Sequence, residues 1–193
     1  MEFKVARSAI EKELNQKIYQ LLEDYVELPP RNVYALDFGC GWMPYVDAFM
    51  NFFGERLKAL TAVDLEEWEL KWKRIQNAYP LVRFERERII SGKDFERLGR
   101  FDFISFINPA PDTYWLLNHP DPDSCILKVA RELKSCLKKE GVVFVLTAED
   151  GIKGSEMKEV LEDGGIRIEV YKDFRDIYWP HQAENLLVGR NRD

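Results

Sequence analysis

The chain is poor in the residues that support metal or disulfide chemistry. It has three cysteines, Cys40, Cys125 and Cys136, with no C-x-x-C pair among them, so neither a disulfide framework nor a zinc knuckle is indicated. Its two histidines, His119 and His181, give no Ser-His-Asp spacing and no metal cluster; each reads first as a loop residue. Charge of one sign is also lacking. Lysine and arginine number 28 against 34 acids, for a net charge of -6, and no basic run resembles a nucleic-acid-binding tail. A nucleic-acid partner is therefore not indicated by charge, although such binding depends on surface clustering that sequence does not display. No apolar run approaches the roughly 20 residues of a membrane span. The early charges Glu2, Lys4, Arg7, Glu11, Lys12 and Glu13 also oppose a leader peptide, so the expectation is a soluble, cytoplasmic protein with no membrane partner.

What is present is enough to build a core. Hydrophobic residues make up 46% and aromatic residues 13%, which excludes a disordered chain and fits one domain over 1–193. Ile10, Leu14, Ile18, Leu21, Leu22 and Tyr25 recur at helical spacing before Pro29-Pro30, which predicts an N-terminal helical extension within 1–30. From 31 on, strands and helices alternate. Strands are expected at Val33 to Phe38, Leu57 to Val63, Leu81 to Phe84, Phe101 to Ile107 and Val142 to Leu146. Helices are expected at 45–53, at 65–78, from Ile126 to Leu137 with Gly141 as terminator, and at 153–163. Trp68, Trp72 and Ile75 share one helical face and read mostly as core. This alternation predicts an α/β fold: a doubly wound, mostly parallel, seven-stranded sheet. The last two strands, Ile166 to Tyr171 and Glu184 to Val188, are joined by a stretch with no helical stripe and with Pro180, so the last strand should be antiparallel.

In such sheets ligands bind outside the carboxyl ends of the strands. After the first strand stands Asp37-Phe38-Gly39-Cys40-Gly41-Trp42-Met43, whose glycines permit a sharp turn and close approach of a ligand to the backbone. After the second strand comes Asp64, placed to accept hydrogen bonds from ribose hydroxyls. Pro44 occupies the place of the last glycine of a dinucleotide-binding G-x-G-x-x-G turn, which opposes a nicotinamide cofactor. Asp37, expected at the strand tip facing the crevice, favours a cationic ligand over a pyrophosphate.

With Asp37, Gly39 and Gly41 forming an acid-x-G-x-G motif at the end of the first strand, the sequence resembles the class I S-adenosylmethionine-dependent methyltransferases. The resemblance covers about residues 30 to 190. It implies S-adenosylmethionine as cofactor, with the 37–41 loop, Cys40 included, around its methionine part and Asp64 with Leu65 at the ribose. It places Asp94 and Phe95 beside the adenine, and it implies an antiparallel seventh strand. Many members carry a third glycine where this chain has Met43.

Asn108-Pro109-Ala110-Pro111-Asp112-Thr113-Tyr114-Trp115, after the fourth strand, is the candidate catalytic loop. Asn108 to Pro111 is similar to the N-P-P-aromatic motif of methyltransferases acting on amino groups. That likeness implies Asn108 as acceptor of substrate N–H bonds at the cofactor's edge and Tyr114 or Trp115 as the stacking platform. Asp112, Tyr114 and His119 are the available bases or orienters. No motif specifies the methyl acceptor or the oligomeric state. Two rival readings stand beside the methyltransferase: a non-catalytic cofactor- or partner-binding module, and an NAD-dependent oxidoreductase. The leading helix either covers the substrate site or packs on the sheet.

Overall fold

The structure is a computed structural model that describes residues 1–64, 68–86, 97–107, 122–149, 152–177 and 182–192, without the side chains of 122–126. Leu65, Asp94, Phe95, Asn108, Asp112, Tyr114, Trp115, His119 and His181 lie outside the described residues, as does the side chain of Cys125.

Seven strands form one sheet: β1 (Val33–Phe38), β2 (Leu57–Asp64), β3 (Val82–Arg86), β4 (Phe101–Ile107), β5 (Leu137–Ala148), β6 (Arg167–Asp173) and β7 (Ala183–Arg190). Their order is β3-β2-β1-β4-β5-β7-β6. The neighbours from β3 to β5 pair in parallel, and β7 runs antiparallel to both β5 and β6. The expected antiparallel last strand is therefore present, inserted between β5 and β6. A loop suffices to join β6 to β7 because antiparallel neighbours need no crossover.

The helices described are α1 (Ala9–Tyr25), α2 (Val46–Phe53), α3 (Glu69–Ala78), α4 (Pro122–Glu132) and α5 (Gly154–Asp163). Strand side chains alternate between two faces, and the core divides accordingly. Val33, Ala35, Phe103, Phe144 and Leu146 join the core under α1, α2 and α3. Leu36, Phe38, Ile104, Phe106, Val143 and Val145 join the core under α4 and α5. Both faces of the central strands are covered, which explains why these strands read as continuous apolar runs.

α1 packs on the sheet together with α2, with Leu14, Ile18, Leu21 and Leu22 buried in their shared core. It starts with a capping box: the Ser8 hydroxyl accepts from the Glu11 amide at 3.1 Å, and the Glu11 carboxylate accepts from the Ser8 amide at 2.9 Å. Burial tends to raise the Glu11 pKa, but the Ser8 and Arg7 amides, which both donate to the carboxylate, lead the effects that outweigh it, and the carboxyl lies below its ordinary value. α2 is fixed on β4 by rings. Phe49 and Phe53 meet Phe103 edge to face at 5.7 and 5.1 Å, contacts each worth about 1 kcal/mol beyond area burial.

Three sequence expectations are corrected. Ile10, placed in the stripe of α1, is 61% exposed, because the stripe turns inward only from Leu14. Trp72 and Ile75 are core residues, whereas Trp68 precedes the first turn of α3 and is exposed. The fourth helix stops at Glu132 and passes through a 3-10 turn, so Leu137 opens β5 instead of closing the helix. The left-handed residue there is Glu140 (φ 60°) and not Gly141, whose place inside β5 admits no side chain: a Cβ would lie 2.7 Å from the Lys138 carbonyl oxygen.

Candidate functional site: the glycine loop between β1 and α2

The chain leaves β1 toward β2 on one side while β4 lies on the other, so the loop after Phe38 stands where strand order reverses. Open sheets bind ligands at this place. The loop turns through three left-handed residues, Gly39 (φ 68°), Gly41 (φ 51°) and Met43 (φ 55°). Met43, where many methyltransferases have a third glycine, thus keeps a glycine-like backbone. This conformation costs a residue with a Cβ about 1–2 kcal/mol, which burial of the whole methionine side chain offsets. A Cβ added at Gly39 or Gly41 would meet nothing within 4 Å. These glycines serve backbone conformation and leave open space above the turn.

The loop is tied at nearly every residue. The amides of Gly39 and Cys40 donate to the Val63 carbonyl at the end of β2, at 2.9 and 3.1 Å. The Gly41 amide donates to Asp64 Oδ2 at 2.7 Å, and the Gly41 carbonyl accepts from the Trp72 indole at 2.9 Å. Trp72 is itself held flat against Phe84, with ring centroids 4.7 Å apart. Trp42 is half-buried at the rim, with the Lys71 ammonium 4.6 Å from its ring.

Asp37 is placed differently from the expectation of a carboxylate facing the crevice. It lies one residue before the end of β1, wholly buried, and accepts from the hydroxyls of Ser105 at 2.6 Å and Tyr45 at 2.8 Å. Burial pushes its pKa up to about 7; the two hydroxyls work against that rise and the Asp64 carboxylate adds to it. The Tyr45 phenol is pushed well above its ordinary value by burial and by Asp37. Cys40 is buried too, its thiol raised by burial and by the Asp37 and Asp64 carboxylates, the opposite of an activated nucleophile.

The structure therefore brings together Asp37, Gly39, Cys40, Gly41 and Asp64, five of the residues singled out in the sequence. Leu65, Asp94, Phe95, Asn108 and Tyr114 lie outside the described residues. Sequence reasoning missed Tyr45, Ser105 and the loop-tying role of Trp72. Ser105 carried a signal, being a polar residue inside the apolar run Phe101–Ile107. Tyr45 carried none, since its meeting with Asp37 depends on how the loop closes. Among the described residues no group of three or more His, Cys, Asp or Glu is placed to hold a metal ion, and no helix is long and apolar enough to cross a membrane.

A seven-stranded sheet of this order, with β7 reversed and a glycine turn after β1, has the fold of the class I S-adenosylmethionine-dependent methyltransferases. Several solved structures share it. A methyltransferase described as SAM-dependent from Aquifex aeolicus aligns with a TM-score of 0.63 at 18% identity, over 95% of this chain and 94% of the other. Aeropyrum pernix fibrillarin, solved with natively bound S-adenosyl-L-methionine, aligns with a TM-score of 0.63 at 14% identity, over 90% and 74%. An O-methyltransferase family protein from Burkholderia thailandensis aligns with a TM-score of 0.62 at 15% identity; the match covers 95% of this chain but 60% of that one. No protein-family model and no curated protein matches the chain in sequence.

Proposed function

We propose that the chain is an S-adenosylmethionine-dependent methyltransferase acting on an amino group. The observation that carries this reading is the pairing at the site: a glycine turn with open space above it, and beneath and beside it two carboxylates, Asp37 and Asp64, on adjacent strands. The residues fit the cofactor. The Asp64 carboxylate beside the turn, with the Asp37 carboxyl buried beneath it, suits a ligand that bears an ammonium and a sulfonium. Asp64, at the carboxyl end of β2, accepts from the Gly41 amide, and a carboxylate at this place is the acceptor that ribose hydroxyls would meet. When bound, the cofactor supplies an electrophilic methyl group. The chain's own task is then to hold the acceptor in line and take up its proton, a task of positioning and base catalysis. We assign acceptor binding to Asn108 and the neighbouring Tyr114 on the strength of the Asn108–Pro111 sequence, with Leu65, Asp94 and Phe95 completing the cofactor contacts.

Calorimetric titration with S-adenosylmethionine and S-adenosylhomocysteine tests the reading. Asp64→Ala should weaken binding about 100-fold, the loss of two charge-assisted hydrogen bonds. Asn108→Ala should leave cofactor binding intact and abolish methyl transfer to amino acceptors. Absence of binding by the unaltered chain would sink the proposal. Binding that survives together with turnover in Asn108→Ala would remove the amino-group assignment.

A further inference from the structure

Resting on that reading of the loop, we propose that Asn15, on the N-terminal helix, is a positioning residue for the cofactor-binding loop. Asn15 sits on the packed side of α1 beside Leu14 and Ile18 and is wholly buried. An amide among apolar side chains is unfavourable unless its hydrogen bonds are made. Here they are made largely to one target. Nδ2 donates to the Pro44 carbonyl at 2.8 Å and to the Glu11 carbonyl at 2.8 Å, while Oδ1 accepts from the Ala48 amide at 2.8 Å.

Pro44 and Ala48 bracket the joint between the glycine turn and α2. The earlier residues of the turn are held from the β2 side, by Val63, Asp64 and Trp72. Pro44 has no amide to offer, so its carbonyl is what the backbone presents there for fixing. The Ala48 amide belongs to the first turn of α2, whose preceding residue Tyr45 makes no side-chain cap; it reaches the Tyr45 carbonyl at 3.0 Å and shares itself with the shorter bond to Asn15. Asn15 thus caps α2 from outside its own segment and holds the exit of the loop with the other arm of the same amide.

Positioning requires that α1 itself be fixed, and it is. Asp47, the neighbour of Ala48, is wholly buried and accepts from the amides of Lys4, Val5 and Ala6 at 2.6 to 3.1 Å, and also from the Tyr79 hydroxyl. Arg74 of α3 donates to the Val5 carbonyl, and Asn51 bonds both the amide and the carbonyl of Glu2. The arm before α1 is therefore fastened to α2 and α3, and the helix that carries Asn15 has a fixed start. The leading helix acts on the loop that binds cofactor, a role different from either a lid over the acceptor or a passive cover on the sheet.

The test compares Asn15→Leu, similar in size and unable to bond, with Leu22→Ala, which removes a wholly buried side chain of the same helix. Amide hydrogen exchange over residues 39–48, without ligand, and S-adenosylmethionine titration are the readouts. Asn15→Leu should speed exchange at Ala48 about tenfold and weaken cofactor affinity about tenfold or more. Leu22→Ala should lower the melting temperature comparably while both readouts stay at the unaltered level. Loop exchange that is unchanged in Asn15→Leu, or raised equally in both variants, overturns the proposal. The exchange comparison needs no cofactor, so it decides the role of Asn15 even if the unaltered chain does not bind S-adenosylmethionine, a result that would count against the methyltransferase reading alone. Should Asn15→Leu not fold, Asn15→Ser, whose shorter side chain admits water to both backbone partners, carries the same comparison.

Discussion

Asp37 and Asp102 are both closed off from solvent on neighbouring parallel strands, one near the carboxyl end of β1 and the other at the amino end of β4. Asp102 is surrounded by donors that match its charge: Arg31 Nε at 2.7 Å, Lys138 Nζ at 2.8 Å and the Tyr34 amide at 3.0 Å. Burial tends to raise its pKa, but these partners outweigh it and hold the carboxyl below its ordinary value. Asp37 has two hydroxyls and a neighbouring carboxylate, and among the described residues no cation contributes to its shift. The amino end of the sheet is thus electrostatically complete within the chain. At the carboxyl end the described residues offer Asp37 no such cation, and burial leaves its pKa raised beside the open turn.

The largest test of this contrast is pH. The unfolded chain gives up the Asp37 proton near the ordinary value of 3.8, the folded one near 7, so the contribution of Asp37 to stability is full below about 3.8 and is lost as pH rises to 7. The loss across that window is on the order of 4 kcal/mol. Chemical denaturation at successive pH values should show it, and Asp37→Asn should flatten the curve between pH 4 and 8. Parallel curves for the two proteins would mean that Asp37 is not the group responsible. A cationic ligand favours the ionised carboxylate, so S-adenosylmethionine affinity should increase between pH 6 and 8 and that increase should vanish in Asp37→Asn.

Asp102 should behave in the reverse way. Its folded pKa is depressed, so its contribution is present above about 3.8 and is lost only as pH falls below that value. Asp102→Ala should cost about 2–3 kcal/mol at pH 7, less than a fully buried ion pair would, because Arg31 and Lys138 remain 44% and 30% exposed. Cofactor affinity, measured by titration, should not change. A variant that keeps its stability but loses cofactor would abolish the distinction between the two ends of the sheet.

The sheet was legible in the sequence because it depends on short-range patterns. Apolar runs with two buried faces declare central strands, and Pro180 in a stretch without a helical stripe was enough to foresee the reversed β7. The glycine turn and Asp64 were legible for the same reason. The rest depends on contacts between distant residues. Asn15 falls on the apolar side of α1, at i-3 from Ile18 and i-7 from Leu22, but a lone polar residue on a stripe does not announce its partner. Asp47 reads as a favourable acid in the first turn of a helix. That it gathers three amides of the arm at residues 4–6 follows from where that arm crosses, which no local pattern encodes. Asp37 was recognised by its place in a motif, yet its burial and its bonds to Ser105 and Tyr45 come from the register of β1 on β4 and the closure of the loop.

The smallest expected effect is the sharpest, since it alters the setting of Asp37 without removing the carboxyl. Ser105 pairs in register with Asp37 and its hydroxyl bond, at 2.6 Å, opposes the rise in pKa that burial causes. Ser105→Ala removes that bond and replaces a polar atom by none, at a cost of about 1 kcal/mol. With one fewer donor to the charged form, the carboxyl should hold its proton to higher pH, so the stability curve should begin to fall at the same pH as in the unaltered chain but keep falling to a higher one. Tyr45→Phe removes the other hydroxyl and should move the midpoint in the same direction. Carbon NMR of the Asp37 carboxyl follows both. If either variant moved the midpoint downward, the hydroxyls would be bonding the protonated acid in preference to the carboxylate, and the carboxyl end of the sheet would be better matched to a neutral ligand than to a cation.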